Sequence, residues 1–187
     1  RYAGYHRRRT FLYAERLGGG RRDQDPERDL DDYRQKRRQD RPSFTATVYK
    51  PVAGSAIAGP YPVVIAFGWS ISAKEMQRVA QAGYVAIILN ADEVAADNAT
   101  KDGAFGDLYP YEESQVGTIC AWSWGASRVL DVLEKGAVAE ADASKAAISG
   151  LSRYGKTALA TGLYDSRFGV IHLASSGAGG AGTTGCF

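Results

Sequence analysis

Short apolar segments separated by turn residues run through most of the chain. Residues 44–49 alternate apolar and polar side chains, which is typical of a half-buried β-strand. Residues 61–67 and 84–89 are continuous apolar runs of strand length, as expected of strands that are buried on both faces. Shorter apolar segments at residues 145–149 and 169–174 predict two further strands.

Three helical patterns lie between these predicted strands. The first covers residues 72–82, where Ser72 and Glu75 have the spacing of a capping box and a glycine follows as the stop signal. In residues 113–135 apolar side chains recur at helical spacing, and a glycine again follows. Residues 153–163 form the third predicted helix.

Two segments have the composition of loops. Residues 90–111 are polar and contain aspartate and glycine, and residues 175–185 are glycine-rich.

Helices that alternate with buried strands predict an α/β fold with a mostly parallel sheet and helices on both faces, which makes three layers. We assign this domain to residues 44–187 and expect it to be incomplete at its C-terminal end.

Residues 1–43 differ from this domain in charge. They contain 13 Lys and Arg and 8 Asp and Glu, whereas the remainder of the chain contains 10 and 13. We expect a basic N-terminal extension that is disordered or partly helical. Its arginines alternate with acidic residues and show no recognition-helix pattern, so nucleic acid is not an expected partner. The chain begins with Arg1 rather than Met, which indicates a processed or truncated start.

Composition also argues against other classes of protein. No apolar run approaches the ~20 residues of a membrane-spanning helix, so the membrane is not an expected partner either. Two cysteines, Cys120 and Cys186, are too few for a disulfide framework or a structural zinc site. We therefore predict neither a metal nor a cofactor.

The strongest chemical signal is at residues 150–156, which read GLSRYGK. Ser152 stands between a predicted strand and a predicted helix, as does the nucleophile of α/β-hydrolases in its G-x-S-x-G turn. Here the second glycine comes one residue later, because the pattern is G-x-S-x-x-G. The alternative is that Ser152 only caps the helix, which is a common role for serine.

These residues resemble a known family. Residues 150–156 are similar to the G-C-S-R-x-G-K motif of glucuronoyl esterases, in which the second glycine is also late. Residues 121–131 (AWSWGASRVLD) resemble the family's W-A-W-G-x-x-R-x-x-D helix. Residues 176–180 (SGAGG) resemble its E-S-G-A-G-G loop. The three motifs occur in the family's order.

The resemblance implies an α/β-hydrolase that cleaves esters between the glucuronic acid of xylan and lignin alcohols. By resemblance, Ser152 is the nucleophile and Arg153 stabilises the oxyanion through its backbone N–H and its guanidinium. Lys156 is expected to bind sugar hydroxyls. A guanidinium beside the nucleophile is a sensible donor to charge that appears only in the transition state. The family also implies an extracellular or periplasmic location, with glucuronoxylan or a lignin–carbohydrate ester as the substrate.

The chain departs from the family pattern at several positions. Leu151 replaces the cysteine before the nucleophile, and Ser175 stands where fungal members have the catalytic Glu. His172 lies in a predicted strand and His6 in the basic extension, so neither is placed as the general base. We expect the catalytic His, and the acid with it, to lie beyond Phe187, which leaves the 187-residue chain nearly inactive.

Two alternative functions stay open. One is an acetyl-type carbohydrate esterase, which has no need of a cation at Lys156. The other is a non-catalytic scaffold on a decayed hydrolase fold, which Ser175 and the missing histidine favour. We interpret three further groups as structural: the tryptophans, the aspartates of the polar loop and the glycine-rich loop (Trp69, Trp122, Trp124; Asp92, Asp97, Asp102, Asp107; residues 177–180).

Overall fold

A computed structural model describes four parts of the chain: residues 6–12, 42–51, 58–109 and 116–182. Within these parts one sheet contains six strands, in the order β1-β2-β4-β3-β5-β6. β2 is antiparallel to both of its neighbours, and β4, β3, β5 and β6 are parallel to one another. The strands are β1 (His6–Leu12), β2 (Ser43–Tyr49), β3 (Tyr61–Phe67), β4 (Val85–Leu89), β5 (Ala141–Leu151) and β6 (Phe168–Ala174).

Helices connect the parallel strands. Within the described residues they are α1 (Ala73–Gln81), α2 (Ala91–Val94), α3 (Ala104–Leu108), α4 (Thr118–Glu134) and α5 (Arg153–Tyr164). A 3₁₀ turn, Gly68–Ser70, follows β3. None of the described helices is long and apolar enough to cross a membrane.

The sheet buries apolar side chains on both faces. On one face, Met76 and Ala80 of α1 pack against Ala66 and Ala86 of the central strands. On the opposite face, α4 and α5 cover the alternate strand positions in a larger cluster that contains Ile65, Ile87 and Trp122, among others. Because successive strand residues point to opposite faces, apolar runs are what two-sided burial requires. The predicted three-layer α/β fold is therefore confirmed.

Local signals set several element ends as predicted. The Ser72 hydroxyl accepts the Glu75 N–H at 3.2 Å, and Glu75 Oε2 accepts the Ser72 N–H at 2.7 Å, which completes a capping box. The Ser72 hydroxyl, which donates to Glu75 Oε2 at 2.6 Å, and the Ser72 N–H together hold the pKa of Glu75 below its usual value. α1 ends before Gly83, whose φ of +100° suits glycine. β3 has the predicted bounds.

Other elements differ from the prediction. The expected loop 90–111 contains two short helices, α2 and α3, and β5 extends beyond the predicted 145–149 at both ends. α4 begins at Thr118 rather than at residue 113. Residues 110–115 lie outside the described residues, as does Cys186.

The basic extension contributes a strand to the sheet, which the sequence analysis did not predict. β1 pairs with β2 over its whole length, from His6 opposite Tyr49 to Leu12 opposite Ser43. An edge strand is paired on one side only and commonly carries charged residues, so it lacks the apolar pattern that revealed the inner strands. Ser43, the last residue of the predicted extension, begins β2, and residues 1–5 and 13–41 lie outside the described residues. A domain boundary near residue 43 stays a prediction.

An ionic network joins the end of α4 to the turn between α5 and β6. Asp165 accepts hydrogen bonds from Arg167 Nε at 2.9 Å and from Arg167 Nη2 at 2.6 Å. The Nη1 of Arg167 also lies 2.8 Å from Asp131 and 2.7 Å from Glu134. Hydrogen bonding to Arg167 lowers the pKa of Asp165 to about 2. The charged residues at the end of α4 thus tie this helix to the turn between α5 and β6.

Replacing Asp165 with Asn is expected to destabilise the chain by about 2 kcal/mol at pH 7, because Arg167 loses its charged acceptor. The folded-state pKa of Asp165 is depressed, so this stabilisation is present above about pH 4 and is lost as the pH falls towards 2. Urea unfolding at pH 7 and pH 2.5 measures the difference. The control, Lys145→Ala, removes an ion pair whose lysine is 65% exposed and is expected to cost less than about 1 kcal/mol. Equal losses in the two variants would contradict the proposed role of the network.

Candidate active site

Ser152 occupies a one-residue turn between β5 and α5. Its backbone has φ +59° and ψ −122°, a conformation that residues other than glycine rarely adopt. The Ser152 N–H donates to the Ala174 carbonyl at the end of β6, at 2.8 Å. Ser152 is exposed, so the turn lifts its hydroxyl clear of the carboxyl ends of the strands.

Two glycines make this turn sterically possible. A Cβ at position 150 would overlap the backbone carbonyl group of Tyr154. A Cβ at position 155 would lie 2.9 Å from the Cβ of Ser176 and 3.2 Å from the Gly150 oxygen. The close contact with the loop after β6 therefore falls at position 155, which accounts for the late second glycine of G-x-S-x-x-G.

The alternative role of Ser152 as a helix cap is not supported by its contacts. Its side chain makes no capping hydrogen bond to α5. The carbonyl of Ser152 accepts the N–H groups of Gly155 at 2.9 Å and Lys156 at 3.3 Å, which starts the helix. The first backbone N–H of the helix, that of Arg153, has no acceptor within the helix and is available to a developing oxyanion.

The Arg153 side chain lies next to the turn and has two partners. It forms an ion pair with Asp97, which lies in the loop after α2. Its guanidinium carbon is also 5.8 Å from the ring centroid of Trp69, a cation–π distance. The side chains of Arg153 and Asp97 are 49% and 38% exposed, so the pair lies at the rim of the site.

A group of aromatic rings supports the turn from below. Tyr154, the residue after Arg153, is 98% buried, and its ring centroid lies 5.3 Å from that of Phe67 and 4.8 Å from that of Trp122. The exposed ring of Trp69 covers Tyr154 at 5.1 Å. Burial raises the pKa of the Tyr154 hydroxyl to about 12, so it stays protonated and neutral. We therefore assign Tyr154 to packing.

Lys156 follows Ser152 by about one turn of α5 and is half-buried. Among the described residues its ammonium group has no ion-pair or hydrogen-bond partner. The position agrees with a substrate-facing cation, and the expected role in binding sugar hydroxyls stays a prediction.

The described residues do not supply a base for Ser152. His172 lies in β6, and its Nδ1 is 2.9 Å from the hydroxyl of Ser149, its neighbour in β5. His6 belongs to β1, at the opposite edge of the sheet. Ser175 follows β6 with φ +45°, and it has no carboxylate with which to orient an imidazole.

The remaining groups have structural contacts. Trp122 and Trp124 pack in the core, whereas Trp69 is 57% exposed beside Arg153. In the glycine-rich loop, the buried Ser176 hydroxyl accepts the Ala181 N–H at 2.9 Å. Among the described residues no three His, Cys, Asp or Glu side chains are grouped to hold a metal ion. The sequence analysis missed Asp97 as a site residue, because nothing local indicates its distant partner Arg153.

The sheet order and the serine turn together define a class of protein. Four parallel strands in the order β4-β3-β5-β6, with a strained serine between the third of these and its helix, are the arrangement of α/β-hydrolases. The parallel sheet, the serine turn and the following helix all have the positions that this class requires.

Comparisons with known proteins identify the family. A family model described as "Glucuronyl esterase, fungi" matches residues 34–186, and the chain belongs to this family. The 4-O-methyl-glucuronoyl methylesterase of Hypocrea jecorina is 38% identical over 142 residues, which are 74% of this chain and 29% of that protein. The chain thus spans less than a third of that relative.

Solved structures show the same similarity. A carbohydrate esterase family 15 glucuronoyl esterase from Caldicellulosiruptor kristjansonii is 43% identical with a TM-score of 0.68, over 74% of this chain and 39% of that one. A Sporotrichum thermophile glucuronoyl esterase mutant, in complex with methyl 4-O-methyl-β-D-glucopyranuronate, is 34% identical with a TM-score of 0.60, over 74% and 36% of the two chains.

The strain at Ser152 is testable without any substrate. Ser152→Gly is expected to be about 1 kcal/mol more stable than Ser152→Ala, because glycine adopts φ +59° without the steric cost of a Cβ. Urea unfolding of the two variants measures this difference. A matched pair at Ser144, an exposed strand residue without positive φ, is expected to show the opposite order. If Ser152→Gly were the less stable of the two variants at that site, the turn would not be strained.

Proposed function

We propose that this chain carries the nucleophile and the oxyanion-binding residues of a glucuronoyl esterase. The observation that supports the proposal most directly is the exposed Ser152 on a strained turn, with Arg153 as the first residue of the following helix. A turn of this kind costs on the order of 1–3 kcal/mol, and strained residues cluster at active sites. Because the chain spans a minor part of its relatives, the activity of the whole protein is part of the proposal.

In the proposed reaction the Ser152 Oγ attacks the ester carbonyl of a glucuronate and forms a tetrahedral intermediate. The Arg153 backbone N–H and guanidinium donate to the oxyanion, where charge appears only as the bond forms. The intermediate then collapses, the alcohol leaves, and water hydrolyses the acyl-enzyme. The turn at Gly68–Ser70, whose Trp69 contacts Arg153, corresponds to the loop that gives α/β-hydrolases a second oxyanion donor.

Ser152 also requires a general base. A serine hydroxyl is a weak nucleophile until an imidazole takes its proton, and the imidazole requires a carboxylate to orient it. His172 bonds to Ser149, and His6 lies at the far edge of the sheet. We propose that the base and the acid of the enzyme come from residues outside the described part of the chain.

Lys156 favours a sugar acid over a simple acetyl group as the substrate. A lysine at the rim offers three N–H donors to the hydroxyls of a sugar ring, and a small acyl group has nothing for them to bind. The glucuronate assignment agrees with the names of the relatives. We extend it to esters of glucuronoxylan with lignin alcohols, and to an extracellular or periplasmic location where such polymers occur.

A non-catalytic scaffold remains a second candidate, since Ser175 and the position of His172 favour it. A decayed site, however, has no reason to retain a strained serine, because Gly at position 152 would relieve the strain. We therefore place hydrolysis first.

The experiment is hydrolysis of a benzyl glucuronate ester and of 4-nitrophenyl acetate by the full-length product of the gene. Ser152→Ala is expected to lower kcat by at least about 10⁴. Lys156→Ala is expected to raise KM for the glucuronate ester about tenfold, through the loss of a charge-assisted hydrogen bond, and to leave the acetate unaffected.

Lys145→Ala is the matched control, because it removes a more exposed lysine at the far end of the domain from Ser152. Preferential cleavage of the acetate, with equal effects of Lys156→Ala on both esters, would favour the acetyl esterase. Absence of Ser152-dependent hydrolysis of both esters would favour the scaffold.

A further inference from the structure

We propose that Asp97 is a positioning residue that holds the Arg153 guanidinium in the orientation needed at the oxyanion. The inference rests on the proposed function, because it concerns the same site. It assigns a role to a loop carboxylate that has no counterpart among the motifs of the sequence analysis.

The Arg153 side chain is restrained by two partners. The Asp97 carboxylate pairs with Nη1 of the guanidinium, and the centroid of the Trp69 ring lies 5.8 Å from the guanidinium carbon. A half-exposed arginine without such partners samples many rotamers, and ordering it in the transition state costs conformational entropy. A guanidinium has five N–H donors in a fixed plane. An ion pair at one nitrogen therefore fixes the orientation of the plane and leaves the other N–H groups free to donate to the oxyanion.

Hydrogen bonds also hold the loop that carries Asp97. The Ala96 N–H donates to the Asp102 carbonyl at 2.7 Å, which closes the loop around Asp97. The buried Nε1 of Trp122 donates to the Ala95 carbonyl at 2.7 Å, which fixes the loop to α4. These two hydrogen bonds therefore fix the backbone of the loop that carries Asp97.

The Trp122 side chain contacts both the segment that carries Asp97 and the segment that carries Arg153. The Trp122 ring centroid lies 4.8 Å from that of Tyr154, the residue after Arg153, and its Nε1 donates to the carbonyl of Ala95, two residues before Asp97. The segments that carry Asp97 and Arg153 thus contact the same buried side chain, that of Trp122. Their relative position does not depend on the exposed side chains alone.

The sign of the electrostatics restricts what Asp97 is able to do. A carboxylate close to a developing oxyanion repels it, so the charge of Asp97 does not stabilise the transition state directly. Its benefit is orientation, and an amide oxygen at the same place accepts from the guanidinium as well. Asp97→Asn is therefore expected to retain most of the effect, and Asp97→Ala to lose it.

The experiment compares kcat and KM for the benzyl glucuronate ester in the full-length gene product. Asp97→Ala is expected to lower kcat about tenfold with KM little changed, since misplacement of a catalytic group acts on the transition state. Asp97→Asn is expected to stay within about threefold of the unaltered protein. Asp92→Ala is the matched control, because it removes an exposed carboxylate of the same segment that is not paired with Arg153.

A double-mutant cycle tests whether Asp97 acts through Arg153. Asp97→Ala in the Arg153→Ala background is expected to have no further effect on kcat. A full additional loss in that background, or an unchanged kcat in Asp97→Ala alone, overturns the inference.

A second measurement separates this inference from the proposed function. In the 187-residue chain, the Arg153 Nη1–H group is expected to give a protected NMR signal that Asp97→Ala removes and Asp92→Ala retains. If no ester is cleaved but this pattern is found, the proposed function fails and the positioning contact stands. If Asp97→Ala leaves the signal unchanged, Asp97 does not hold the guanidinium.

Discussion

The crossing of β5 and α5 at Gly150 is the constraint on which the site depends. A Cβ there would overlap the backbone of Tyr154, so strand and helix approach more closely than any other residue allows. The chain then changes direction within Ser152, which takes a positive φ as a result. Exposure of the hydroxyl, the orientation of the first N–H of α5 and the position of Arg153 all follow from this one turn.

The core beneath the turn fixes its surroundings. Tyr154 packs between Phe67 of β3 and Trp122 of α4, so the central strand, the helix layer and the turn at Ser152 share one aromatic contact. Trp122 also donates to the loop that carries Asp97. Most of the energy of these contacts is burial of apolar area, which is non-directional, while the few hydrogen bonds determine where charged groups lie at the rim.

Much of the fold, including the turn at Ser152, could be predicted from the sequence, because its signals are local. β3 is a continuous run of apolar residues, and Ser72 and Glu75 form a capping box within one turn. In residues 150–156 the two glycines stand where the close approach of strand and helix leaves no room for a Cβ. The missed features depend on distant partners. β1 is charged and becomes a strand only by pairing with β2, and Asp97 becomes a site residue only because the fold brings it to Arg153.

Covalent labelling of the full-length gene product with an alkyl fluorophosphonate tests the central claim most directly. Such a reagent phosphonylates an activated serine with loss of fluoride, and intact-mass and peptide mass spectrometry locate the added group. The account predicts one group per chain, on Ser152, that Ser152→Ala abolishes and Ser149→Ala does not. Labelling of Ser149 beside His172, or glucuronate ester hydrolysis that continues after Ser152 has been labelled, would contradict it.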